Sequence, residues 1–151
     1  MPSRRHCLQA LGAAGALGLA LALPGCGRER PRSRPVPAGA VVLALGDSLT
    51  WGTGAPPEAS YPAVLARLTG WQVVNAGVPG DTSAQALARL PAMLAEHRPA
   101  LVIVSIGGND FLRRLPEADT RANVRAICEQ ALQSGAQVLL VAVPRATVAA
   151  A

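Results

Sequence analysis

Lysine is absent from this 151-residue chain, and its positive charge lies almost entirely at one end. Residues 1–37 hold six Arg and one acid, Glu29, which gives them a net charge of +5. Residues 38–151 hold eight Arg and eight acids and are therefore neutral. A nucleic-acid-binding domain carries its basic residues on the folded part of the chain. Nucleic acid is therefore not expected as a partner.

Cysteines and aromatic residues are scarce as well. Aromatic residues make up 3% of the chain, and the three cysteines are Cys7, Cys26 and Cys128. Their spacing matches neither a zinc site nor a disulfide framework. The chain also lacks a Gly-x-Gly-x-x-Gly motif after its first predicted strand and a lysine-containing phosphate loop, which disfavours a nucleotide-binding domain. We expect neither a metal nor another cofactor.

An export signal is predicted over residues 1–26. Arg4 and Arg5 form a charged start, and the mostly apolar residues 8–23 are too few for a membrane span of about 20 residues. The Leu-Pro-Gly-Cys sequence that ends at Cys26 resembles the lipobox of bacterial lipoproteins, which implies acylation of Cys26 and a membrane anchor. The alternative is a simple signal peptide followed by a chance cysteine. We expect a periplasmic or cell-envelope protein, exported by the general or the twin-arginine route.

A change of composition separates this signal from the folded part. Residues 27–39 are rich in Arg, Pro and Gly, and such a composition cannot build a hydrophobic core. We interpret them as a disordered tether. Residues 40–151 form the predicted domain.

The domain alternates apolar runs, which are typical of buried strands, with segments of helical periodicity. This alternation indicates a parallel sheet covered by helices on both faces. Asp81 or Thr82 is the expected N-cap of the second helix. Tyr61, Val64, Leu65 and Leu68 are expected on the apolar face of the first helix. Strands are predicted over residues 40–45, 71–75, 101–106 and 137–143, and helices over residues 59–69, 81–97 and 118–134.

Three of the four predicted strands end in residues that are unusual for plain connections. In parallel sheets the chemistry gathers at the carboxyl ends of the strands. The fourth strand ends in Pro-Arg-Ala-Thr, without such a signature. The three clusters are Gly46-Asp47-Ser48-Leu49, Asn75-Ala76-Gly77 and Gly107-Gly108-Asn109-Asp110.

In that order and at those strand ends, the clusters resemble three motif blocks of the SGNH/GDSL hydrolases. The surrounding sequence is similar to the bacterial arylesterase, thioesterase and lysophospholipase branch, over roughly residues 40–144. The resemblance implies a three-layer α/β/α, flavodoxin-like fold around a central parallel sheet. It also implies a serine ester hydrolase that acts on a small ester, a thioester or a lysolipid.

The resemblance assigns a role to each motif residue. Ser48 would be the nucleophile, and the oxyanion would be held by the backbone N–H groups of Ser48 and Gly77 and by the Asn109 side-chain amide. Asp47 and Asp110 would be structural, bonding N–H groups of their loops. The alternatives are that Ser48 and Asn109 are plain turn or cap residues and that Gly77 is only a turn glycine. The residues expected in packing rather than in a substrate platform are Trp51, Tyr61 and Trp71.

The family's fourth block, Asp-x-x-His, does not occur in the 151 residues. His6 lies in the signal, and His97 precedes the third strand, at the wrong end of the sheet. We expect a truncated chain that holds four strands, lacks a fifth strand and the last helix, and is inactive as it stands. The alternative function is a non-enzymatic envelope lipoprotein that keeps the fold as a binding module.

Overall fold

A computed structural model describes residues 33–142 of the chain, which belong to one structural unit beginning at Ser33. The predicted signal with Cys26 and the residues from 143 onward lie outside this range. No helix within residues 33–142 is long and apolar enough to cross a membrane. The strands are β1 Val41–Gly46, β2 Gln72–Gly77, β3 Leu101–Ser105 and β4 Gln137–Leu140; the helices are α1 Ser48–Trp51, α2 Tyr61–Thr69, α3 Ser83–His97, α4 Gly108–Leu112 and α5 Glu117–Gln133.

The four strands form one parallel sheet in the order β2-β1-β3-β4. The predicted α/β architecture with a parallel sheet is thereby confirmed. Gly46, at the end of β1, lies opposite Gly77 of β2 and opposite Ser105 of β3. The carboxyl ends of three strands are therefore level, and the loops that follow them meet at one edge of the sheet.

Hydrophobic clusters cover both faces of the sheet. The larger cluster includes Leu43, Leu45 and Val104 of the sheet, packed with Leu90 of α3 and Ile127 of α5. The smaller one holds Val42, Leu101 and Ile103, packed against partly buried residues that include Leu65 of α2 and Trp71. Because neighbouring residues of a strand point to opposite faces, this division gives three layers, with the sheet in the middle.

The helix boundaries differ from the predicted ones in physically informative ways. A short 3-10 turn, Pro57–Ala59, replaces the predicted start of α2, and Leu68, expected on its apolar face, is 78% exposed. Thr82, rather than Asp81, caps α3, and it forms a reciprocal capping box with Gln85. The short helices α1 and α4 were not predicted. Four or five residues are too few to show helical periodicity.

The folded region begins before the predicted boundary at residue 40. The indole N–H of Trp71 donates to the carbonyl of Val36 at 3.1 Å, and the Gly39 N–H donates to the Gly70 carbonyl at 2.8 Å. Arg34 and Gln137 exchange two hydrogen bonds between backbone and side chain. The last residues of the predicted tether are therefore attached to the sheet, because Trp71 and Gln137 supply partners that composition does not reveal.

Candidate active site

Ser48 lies immediately beyond β1, at the first position of α1. Asp47 caps this helix, since its carboxylate accepts the Leu49 N–H at 3.0 Å. Within residues 33–142, neither the Ser48 hydroxyl nor its backbone N–H makes a hydrogen bond, and the residue is partly exposed. An exposed hydroxyl beside an open N–H is therefore held at the carboxyl edge of the sheet.

The turn that carries Ser48 is supported from below. A side chain at Gly46 would overlap the buried hydroxyl of Thr50, so only glycine fits there. The Thr50 hydroxyl lies 3.2 Å from the Tyr61 hydroxyl. Burial raises the pKa of Tyr61 and the negative charge of Asp47 adds to it, against the opposing hydrogen bond with Thr50. Tyr61 therefore packs as a neutral support of the turn.

Gly77 is placed differently from the expected role in the oxyanion hole. Its N–H already donates to the Asn75 side-chain oxygen at 3.0 Å. A side chain at Gly77 would overlap the backbone of Thr50 and Trp51. The glycine is needed because α1 packs directly on the end of β2, and its N–H is not an open donor.

Gly80, three residues further on, has the features expected of Gly77. It has a positive φ of 85°, and within the described part of the chain its N–H makes no hydrogen bond. Its carbonyl accepts a hydrogen bond from Arg113 at 2.7 Å, which ties this loop to the end of α4. Sequence reasoning missed this residue, although a glycine two positions before the helix cap Thr82 was the available signal.

Asn109 reaches the same loop from α4. Its side-chain nitrogen donates to the carbonyl of Asp81, the residue after Gly80, at 2.9 Å. An amide nitrogen carries two N–H groups, so one remains for another acceptor. The loop after β3 contains Gly107, whose φ of 116° favours glycine. Gly80 and Asn109 therefore lie together, each with a donor not used within residues 33–142.

Asp110 is the buried centre of a separate hydrogen-bond network. It is 2% exposed and accepts the Ser83 N–H at 2.8 Å, the Ser83 hydroxyl at 2.5 Å and the Thr120 hydroxyl at 3.2 Å. Asn123 donates to the Ser83 hydroxyl in turn. The network joins α3, α4 and α5 directly behind Asn109, which suits a structural role and leaves no oxygen directed at Ser48.

Exposed apolar side chains surround these polar groups. Between each of the strands β1, β2 and β3 and the next long helix, the acids Asp47, Asp81 and Asp110 are buried, and Glu58 of the 3-10 turn is exposed. The same loops present large apolar side chains to solvent, which we call the apolar rim: Leu49, Trp51, Val78, Phe111 and Leu112. Trp51, expected as a packing residue, is 57% exposed, because α1 turns its side chain away from the sheet.

Residues 33–142 hold no group of three His, Cys, Asp or Glu side chains that could bind a metal ion. His97 ends α3, next to the amino end of β3. Five strand residues at about 3.3 Å each separate that end from the edge that carries Ser48. His97 is therefore too distant to take a proton from Ser48.

Comparison with known proteins agrees with the resemblance seen in the motifs. The family model of GDSL-like lipases and acylhydrolases matches residues 44–151. The chain belongs to this family.

Relatives of known activity carry the same sequence pattern. Over 111 residues the chain is 40% identical to esterase TesA of Pseudomonas aeruginosa, which covers 70% of the chain and 55% of that protein. Over 103 residues it is 44% identical to the thioesterase 1/protease 1/lysophospholipase L1 of Escherichia coli, which covers 66% of the chain and 49% of that protein. The chain spans about half the length of these relatives.

Solved structures confirm the fold. The crystal structure of TesA matches with a TM-score of 0.66 at 40% identity, covering 68% of this chain and 60% of that one. The SGNH-hydrolase family esterase AlinE4 matches with a TM-score of 0.64 at 38% identity, covering 70% and 60%. The SGNH fold and the serine ester and thioester hydrolase family are thus shown for this chain.

Proposed function

We propose that this chain carries the nucleophile and the oxyanion hole of a serine ester hydrolase of the arylesterase, thioesterase or lysophospholipase type. The observation that carries the proposal is the free Ser48 hydroxyl at the same edge as three donors. Those donors are the N–H groups of Ser48 and Gly80 and the second N–H of the Asn109 amide. Gly80 takes the place first expected for Gly77, whose N–H is already bonded.

The chemistry follows from this arrangement. The Ser48 oxygen attacks the carbonyl carbon of an ester or thioester, and the carbonyl oxygen becomes an oxyanion. Donors fixed before the reaction stabilise that charge without reorganising, which is commonly the largest catalytic contribution. No part of this step requires a metal or another cofactor.

Ser48 also needs a base, and residues 33–142 place none beside it. A serine hydroxyl is a weak nucleophile until a neighbouring group takes its proton. The 151 residues hold two His: His6, which lies outside the described residues, and His97, which lies at the opposite edge. A polypeptide of these 151 residues alone is therefore proposed to be inactive or nearly so. A stoichiometric burst of p-nitrophenol that disappears in Ser48→Ala would contradict this.

The apolar rim points to the substrate. Small esters, thioesters and lysolipids share an acyl chain, and the rim gives such a chain an apolar surface beside Ser48. The acids nearest the strand ends, Asp47, Asp81 and Asp110, are buried and present no carboxylate to repel an anionic headgroup. The activities for which the relatives are named, esterase and thioesterase/lysophospholipase, belong to the same chemical class.

The location of the protein is a separate proposal. We infer from the lipobox-like sequence before Cys26 that this cysteine is acylated and anchors the protein in the cell envelope. Labelled palmitate should be incorporated by the wild type and lost in Cys26→Ala. Label that persists in Cys26→Ala, or that never appears in the wild type, contradicts the anchor.

A hybrid enzyme tests the catalytic proposal. Residues 33–142 are joined to the C-terminal part of the Pseudomonas aeruginosa esterase that lies beyond the aligned region; we call this protein the TesA hybrid. It should hydrolyse p-nitrophenyl butyrate, and Ser48→Ala should lower kcat by on the order of 10⁶, the scale for loss of a serine nucleophile. A folded hybrid without activity, or one whose activity survives Ser48→Ala, contradicts the proposal.

A further inference from the structure

Arg89 of α3 connects two loops of the candidate site. Its Nε donates to the Asp81 carboxylate at 2.8 Å, and its Nη2 donates to the Gly46 carbonyl at 3.0 Å. The side chains are 24% and 9% exposed, respectively, so the pair is largely shielded from water. We call these two contacts the Arg89 bridge.

Each end of the bridge lies within two residues of a proposed catalytic group. Gly46 precedes the turn that carries Ser48, and its carbonyl also accepts the Val78 N–H at 3.1 Å. Asp81 follows Gly80, and its carbonyl accepts the Asn109 amide at 2.9 Å. The bridge therefore joins the end of β1, two residues before the nucleophile, to Asp81, which follows one proposed oxyanion donor and accepts a hydrogen bond from another.

We propose that Arg89 is a positioning residue that fixes the separation between Ser48 and the donors of Gly80 and Asn109. It acts through Gly46 and Asp81 and touches no substrate. Its catalytic meaning rests on the function proposed above. The planar guanidinium suits this task, because two donors held in one plane meet two acceptors at a fixed spacing, which a lysine ammonium cannot reproduce.

A purely stabilising ion pair explains the bridge less well. Partly exposed ion pairs contribute little to the stability of the fold. The presence of a buried ion pair is likewise weak evidence that it stabilises the fold. The exposed ion pair between Arg121 and Glu117, at 2.6 Å, lies within the single helix α5 and serves as a comparison. Arg89 differs because its second donor binds a carbonyl of another element, Gly46 of β1.

The Asn109 side chain offers a direct spectroscopic readout. The chain has three asparagines, Asn75, Asn109 and Asn123, so ¹⁵N-asparagine labelling of the full chain yields three side-chain amide pairs. Asn109→Ala assigns its own pair. Asn123 binds Ser83 within the Asp110 network and serves as an internal reference.

Arg89→Met should shift the Asn109 amide signals and leave those of Asn123 in place. Hydrogen exchange at the Val78 amide, which donates to the same Gly46 carbonyl as Arg89, should rise about tenfold relative to the amides of β3, which report global opening. Arg89→Lys keeps the charge and should show the same displacement, because one ammonium cannot span both acceptors. Arg121→Met is the matched control and should change neither readout.

Two results would contradict the positioning role of Arg89. Unmoved Asn109 signals in Arg89→Met, or equal changes in exchange at Val78 and throughout β3, would overturn the proposal. If Arg89→Met does not fold, Asp81→Asn weakens the same bridge and is judged by the same signals. The spectroscopic readout requires no catalysis. If the TesA hybrid is inactive but Arg89→Met shifts the Asn109 signals, the proposed function is contradicted and the positioning role of Arg89 stands.

Discussion

The two edges of the sheet differ in the backbone groups that the neighbouring helices present there. At the amino edge, helices α2, α3 and α5 end, and in each helix a carbonyl near the end accepts the N–H of the capping residue, Gly70, Arg98 or Ser134. At the carboxyl edge, helices α1, α3 and α4 begin. Helix starts leave N–H groups without a partner inside the helix, whereas helix ends leave carbonyls.

The difference agrees with the edge at which catalysis is proposed. An edge of open N–H groups stabilises a developing negative charge, and an edge of carbonyls does not. Charged and amide side chains close the loops of the carboxyl edge, as Arg89, Arg113 and Asn109 do by donating to backbone carbonyls. This fixes the loops while it leaves the N–H groups of Ser48 and Gly80 unused within residues 33–142.

Of the substitutions that compare the two edges, Asn109→Ala at the carboxyl edge should have the largest effect. In the TesA hybrid, Asn109→Ala should lower kcat by about 10²–10³ with little change in KM, the scale for one oxyanion donor. Steady-state hydrolysis of p-nitrophenyl butyrate measures this. Asn123→Ala, a second amide outside the edge, is the control. Undiminished kcat in Asn109→Ala would remove this residue from the site.

Removal of Asp110 should affect stability rather than chemistry. Asp110→Ala leaves the buried Ser83 without its acceptor and should lower the free energy of unfolding by about 3 kcal/mol. Urea denaturation of the TesA hybrid measures the change. Asp119→Ala removes an exposed acid from the first turn of α5 and should cost about 0.5 kcal/mol. Equal losses in the two variants would show that the network contributes little.

Gly77 and Gly80 should separate packing from catalysis. Gly77→Ala forces a side chain into the backbone of Trp51 and should reduce stability by about 2 kcal/mol. Gly80→Ala has room but strains a φ of 85°, at about 1 kcal/mol, and should disturb kcat more than stability. Thermal unfolding and kcat, measured on the same samples, decide the matter. The reverse order would return the oxyanion role to Gly77.

The smallest expected effect is at the amino edge. His97→Gln should leave kcat of the TesA hybrid within about twofold at every pH, because His97 lies a full strand length from Ser48. A pH–rate profile that loses its lower limb in this variant would contradict the placement of the site at the carboxyl edge.

Strands and their ends were the part of this molecule most open to prediction from sequence. The run from Leu101 is β-branched and apolar on both faces, so it predicted a buried parallel strand. The motif residues after β1 and β3 were found because unusual polar residues follow apolar runs. The sequence predicted either Asp81 or Thr82 as the N-cap of α3 and could not choose between them. The choice depends on Arg89, eight positions from Asp81, which binds the Asp81 carboxylate and leaves Thr82 as the cap.

Long-range contacts limited the rest of the prediction. The exception is local: the Asn75 side-chain oxygen accepts the Gly77 N–H only two residues away, and without this contact in view the resemblance gave Gly77 a role that Gly80 fits better. The packing of Val36 against the sheet depends on Trp71, which lies 35 residues away. Such contacts arise from tertiary structure and leave no periodic signal in the sequence.

The central claim is that Ser48 is the nucleophile, and covalent labelling tests it most directly. The TesA hybrid is treated with a fluorophosphonate, digested, and analysed by mass spectrometry. We predict one adduct, on the hydroxyl of Ser48, that is lost in Ser48→Ala and forms more slowly in Asn109→Ala. An adduct on another residue, or a folded hybrid that hydrolyses esters without labelling at Ser48, would contradict it.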